Sequence, residues 1–103
     1  MAKISEAKQV ADAVMAARAD WLANPLARLI VVEDIRAELG DDHTGDASVF
    51  LEVVLRDSTR AQDWTSKNLN PLITLLSERI ADAGVARMVY TRFVRKADLS
   101  EAA

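Results

Sequence analysis

The chain has 103 residues, 13 basic and 16 acidic side chains, a net charge of −3 and half of its residues apolar, which suits one small folded domain with a single core. With no cysteine, it excludes a disulfide framework, a thiolate metal centre and a cysteine nucleophile. The acidic balance speaks against nonspecific nucleic-acid binding, and no stretch approaches the roughly 18 to 20 apolar residues that span a bilayer, so a cytoplasmic domain away from membranes is expected.

Residues 4–22 place Ile4, Ala7, Val10, Ala11, Val14, Met15, Trp21 and Leu22 at helical spacing, with Glu6, Gln9, Asp12 and Asp20 across from them. This predicts an amphipathic helix with one buried stripe. Residues 25–39 carry conflicting signs. Asn24-Pro25 reads as an N-cap followed by proline in a first helical turn, and Gly40 as the residue past a helix end. On a helical wheel, however, Leu26, Leu29, Ile30, Val31, Val32, Ile35 and Leu39 leave no polar face. On a strand, Leu29, Val31, Ile35, Ala37 and Leu39 share one side with only Glu33, while Arg28, Asp34, Arg36 and Glu38 lie opposite with Ile30 and Val32. The Ile-Val-Val run adds β-branched weight, and a strand over 25–39 is predicted.

Gly40 to Asp46 is dense in turn formers and predicts a hairpin loop. Residues 47–56 then alternate cleanly, with Val49, Leu51, Val53 and Leu55 on one face and Ser48, Phe50, Glu52, Val54 and Arg56 on the other. After a polar connection, Leu72, Ile73, Leu75, Leu76, Ile80 and Ala83 predict a helix over 71–83, with Asn70 as cap, Pro71 in the first turn and Gly84 as its stop. Residues 86–95 read as a last strand and 97–103 as a tail. The fold class expected is therefore α+β, in the order α-β-β-α-β, with a three-stranded sheet covered by two helices on one face.

Catalysis needs a nucleophile with a base, tuned carboxylates or a metal, and the chain is poor in all three. His43 is its single histidine, and Asp41, Asp42, His43 and Asp46 do not match the alternation of a calcium loop. They read as residues that set a turn, so no catalytic residue, metal site or cofactor is assigned. Glu33 interrupts an apolar strand face, and desolvation there would raise its pKa, as a pocket enzyme or small-molecule binder built near it would require. The plainer reading pairs it with an arginine.

The uncovered sheet face is more informative. With Val49, Leu51, Val53 and Leu55 turned to the helices, Ile30, Val32, Phe50 and Val54 point away from them, joined by alternate residues of the last strand, either Tyr90 and Val94 or Val89 and Phe93. Such a patch marks an interaction surface. Two copies stacked sheet to sheet would bury it, making a homodimer of a non-enzymatic binding protein the leading expectation. A pocket for a small apolar ligand between the paired sheets is the competing use. Trp21 is expected in the core, and Trp64 beside the entry to the second helix. Arg92 and Arg95 mix with Tyr90 and Phe93 in the last strand as cations mix with aromatics in sheet-based RNA readers.

Three stretches, Asn24-Pro25-Leu26, Val32-Glu33-Asp34-Ile35 and Ala47-Ser48-Val49-Phe50-Leu51, together with the element order, resemble ribosome-binding factor A, a KH-like family. The resemblance implies RNA or ribosome association as the alternative function. The family's small-residue and glycine break in the second helical region has no counterpart here, and the chain is acidic where such a relative is basic. No functional residue is carried over.

Overall fold

Ser5 opens the first helix by accepting the Lys8 N–H on its side-chain oxygen, which satisfies one of the donors that every helix start leaves free. In the computed structural model, which describes residues 5–57 and 60–101, this helix, α1, runs Glu6–Trp21. A short 3-10 turn, Pro25–Arg28, leads to strand β1 (Val32–Asp41) and strand β2 (Ala47–Leu55); a second turn, Ala61–Asp63, leads to helix α2 (Ser66–Asp82), strand β3 (Met88–Arg95) and helix α3 (Lys96–Glu101). The order α-β-β-α-β is the one expected, followed by one added short helix.

The sheet runs β1-β2-β3, antiparallel between β1 and β2 and parallel between β2 and β3. Parallel neighbours need a long crossover, and α2 supplies it. Central β2 turns Val49, Leu51, Val53 and Leu55 to the helices, where they pack with Val14, Ala17 and Trp21 of α1 and Leu72, Leu76 and Ile80 of α2. Trp21 is fully inside, as expected, and its indole N–H donates to the Ile30 carbonyl at 3.0 Å.

Several boundaries differ from the sequence reading. The buried stripe of α1 is Val10, Ala13, Val14, Ala17 and Trp21, so Ala7, Ala11, Met15 and Leu22 are exposed; Ile4 lies outside the described residues. Small Ala13 and Ala17 let α1 sit close to its neighbours, a role that hydrophobicity alone does not reveal. The 25–39 stretch is two elements. Asn24 caps a 3-10 turn by accepting the Leu26 N–H, and the strand begins only at Val32. Helix α2 starts five residues earlier than Pro71, because Thr65 caps it by accepting the Asn68 N–H, and Pro71 lies within the second turn. Gly84 ends the helix as expected, with φ of +84° that favours glycine. Residues 97–101, expected as part of a tail, belong to α3, whose Ala97 N–H donates to Asp57 at 2.8 Å.

Candidate interaction face on the open side of the sheet

Cross-strand register fixes which side chains share the face away from the helices. Antiparallel and parallel pairing together set four rows across β1, β2 and β3: Gly40, Ser48 and Met88; Glu38, Phe50 and Tyr90; Arg36, Glu52 and Arg92; Asp34, Val54 and Val94. Of the two alternations open for the last strand, the register selects Tyr90 with Val94. The Phe50 and Tyr90 rings stack with centroids 5.7 Å apart and planes 17° from parallel, and each residue remains more than a third exposed. Met88, beside them, is 54% exposed.

The next row is charged. Glu52 sits between two arginines, bonded to Arg92 and 3.7 Å from Arg36. Alternating cation, anion and cation across three strands is the favourable order for directly opposed residues. Parity along each strand, once the hairpin register is known, is the signal that would have brought Arg36, Glu52 and Arg92 together from sequence.

At the hairpin end the face is fastened by Asp42. Its Oδ1 accepts the Thr44 N–H, the Thr44 hydroxyl and the Asp46 N–H, and its Oδ2 accepts the Tyr90 hydroxyl at 2.9 Å. These bonds, the Thr44 hydroxyl foremost, hold the Asp42 carboxyl down to about 2 and, by the same contact, raise the pKa of Tyr90. The turn-setting reading of this acidic loop thus accounts for the contacts of Asp42, while His43 is exposed. Among the described residues no three histidine, cysteine or acidic side chains gather to hold a metal, and no helix is long and apolar enough to cross a membrane.

Two residues expected on this face are elsewhere. Ile30 is fully buried in the core, and Val32 packs against that core. For Val32 the cause is a β-bulge: Val32 stands opposite Leu55 and Asp34 opposite Val54, so Glu33 is an extra residue that reverses its parity. Ile30 precedes β1, in the bend after the 3-10 turn, where strand alternation does not apply. Val54 keeps its expected side and stands outside the core cluster, yet it is only 2% exposed, at the end of the sheet from which α3 continues. The exposed apolar part of the open face therefore contracts to Phe50, Tyr90 and Met88, with Val94 half-buried at the α3 end.

Glu33 follows the plainer reading, paired with an arginine, and is not the desolvated acid a pocket would need. The Arg56 side chain donates to it at 2.8 Å and lowers its pKa, outweighing burial. The depression on the open face is lined by Arg36, Glu38, Phe50, Glu52, Tyr90 and Arg92 and does not include Glu33.

Arg92 and Arg95 are not brought together. Three positions apart on a strand, they point to opposite faces: Arg92 meets Glu52 in the open, whereas Arg95 lies over the Trp64 ring, 5.6 Å from its centroid, on the helix side. Trp64 is half-buried against the core, and its indole N–H finds no partner among the described residues.

No protein-family model, curated protein or solved structure matches this chain.

Proposed function

We propose that the protein is a non-enzymatic interaction protein that associates with a second copy of itself through the open face of its sheet. The observation that carries this reading is the stacked Phe50–Tyr90 pair, 37% and 38% exposed at the centre of a face that α1 and α2 leave bare. Two aromatics on adjacent strands, with Met88 beside them, form the apolar centre that interaction surfaces favour, and the charged row of Arg36, Glu52 and Arg92 forms one border.

Both signs of charge flank that centre, with Glu38 and Glu52 among the acids and Arg36 and Arg92 among the bases. A copy presenting the same face can therefore match it under two-fold symmetry. Each 100 Å² of apolar surface covered favours association by roughly 2.5 kcal/mol before entropy and desolvation costs. With Ile30 in the core and Val32 packed against it, the apolar area is modest, which suits a weak, concentration-dependent dimer.

Sedimentation velocity over a wide concentration range tests this. The wild-type chain is expected to shift from monomer to dimer as concentration rises, and Phe50→Asp to weaken the dimer by more than about tenfold, equivalent to ~1.4 kcal/mol. A wild-type chain that stays monomeric at the highest concentration overturns the reading.

A further inference from the structure

Ala37 lies on the helix side of the sheet, opposite Leu51, yet it is exposed. The reason is a groove between α1 and β1. Ala7, Ala11 and Met15, spaced four apart on one face of α1, form one wall, and Ile35, Ala37 and Leu39 of β1 form the other. Met15, 71% exposed, stands at its rim. Among the described residues β1 is also a sheet edge, so alternate backbone N–H and C=O groups along it have no strand partner there.

We infer that a second copy pairs its own β1 antiparallel to this edge, with the two-fold axis at Ala37, joining two sheets into one of six strands. Charge and strand length together select that register. An axis at residue 35 also sets Asp34 opposite Arg36, but it pairs across the bulge at Glu33 and leaves Leu39 to Asp41 without a partner, whereas Ala37 lies near the middle of β1. Antiparallel partners about Ala37 place Arg36 opposite Glu38 of the second copy, Glu38 opposite its Arg36, and Ile35 opposite its Leu39. Moving the axis to residue 36 sets Arg36 against its own copy and Asp34 against Glu38; moving it to residue 38 sets Glu38 against Glu38. Both juxtapose like charges. Registers between these bring residues of opposite faces together and would throw the two helix layers onto opposite sides of the sheet. At the axis itself two side chains must share one site, and alanine is small enough for both.

The same geometry supplies a use for the groove. With both helix layers on one side, the Ala7, Ala11 and Met15 face of α1 turns toward its symmetry mate, and the exposed rim of Met15 is covered. This contact is separate from the open-face association, because Ala37 points to the side of the sheet away from Phe50 and Tyr90.

The absence of cysteine makes the test clean. Ala37→Cys treated with a short bis-maleimide is expected to give a covalent dimer, and Thr74→Cys, on the exposed surface of α2, to remain monomeric under the same treatment. Adding Met15→Glu to Ala37→Cys is expected to cut the covalent dimer about tenfold, the effect of ~1.4 kcal/mol. A folded Ala37→Cys chain, verified by circular dichroism, that couples no better than Thr74→Cys overturns the edge pairing. For a chain that Ala37→Cys prevents from folding, sedimentation of Met15→Glu alone decides: unchanged self-association overturns the pairing and weakened self-association supports it. The two contacts also fail separately. Covalent dimer that survives Phe50→Asp supports the edge and counts against the face; self-association lost with Phe50→Asp while Ala37→Cys stays uncoupled does the reverse.

Discussion

The Tyr90 hydroxyl donates to Asp42 Oδ2 at 2.9 Å, tying the hairpin loop between β1 and β2 to the far strand β3. Because the Tyr90 ring also stacks on Phe50, one side chain both holds the loop and orients the aromatic centre of the open face. Asp42 is correspondingly stabilised as a carboxylate, with a pKa of about 2 against an ordinary value near 3.9. A depressed folded-state pKa contributes stability that is present above the unfolded value and is lost as pH falls toward the folded one. The loss is expected between about pH 4 and 2. Carbon-13 NMR titration is expected to find Asp42 at about 2 in the wild type and higher in Tyr90→Phe and Thr44→Ala, with Thr44→Ala moving it further. An unchanged titration in Thr44→Ala would contradict this assignment.

Trp21 is the anchor that joins α1 to the entry of β1. Its ring is 1% exposed and its N–H is bonded to the Ile30 carbonyl. Trp21→Phe leaves that carbonyl without this donor and removes core volume, and about 2–4 kcal/mol of stability is expected to be lost. Urea denaturation measures it as a lower midpoint at unchanged slope. A loss under about 0.5 kcal/mol would mean that the site relaxes to repair the bond.

Arg87 is the second anchor. Its Nε and Nη2 both reach Glu6 at the start of α1 at 2.8 Å, while Nη1 donates to the Gly40 and Ser48 carbonyls at 3.1 and 3.2 Å. A guanidinium bridging a helix and two strands is costlier to remove than one in a surface ion pair such as Arg92 with Glu52. Arg87→Ala is expected to lower the melting temperature clearly, and Arg92→Ala to leave it nearly unchanged. Equal effects of the two substitutions would contradict the bridging role.

What was legible in the sequence follows from how local each signal is. Strand β2 was plain because strict alternation of Val49, Leu51, Val53 and Leu55 against Ser48, Phe50 and Glu52 needs no distant information. The 25–39 stretch carries both sets of signs, and both are true, in different places. Asn24-Pro25 does start a helical turn, and β-branched weight does favour a strand, beginning at Val32. The bulge at Glu33 has no sequence signature of its own; it sets Val32 opposite Leu55 and against the core, out of phase with Asp34. The bulge turns Val32 to the other side and Ile30 lies before the strand begins, while Phe50, Val54 and Tyr90, on other strands, keep their expected side. Asn70-Pro71 imitates a helix start, but the true cap is Thr65, marked by Trp64 just before it and Leu69 four residues after it, the apolar pair that staples a helix entry.

The open face as the meeting surface of two copies is tested most directly by isotope-filtered NMR on a mixture of labelled and unlabelled chains at high concentration. Intermolecular contacts from the Phe50 and Tyr90 rings and the Met88 methyl are expected, and they should vanish in Phe50→Asp. A mixture in which chains associate but none of these three residues meets its counterpart, or in which they do not associate at all, would contradict it.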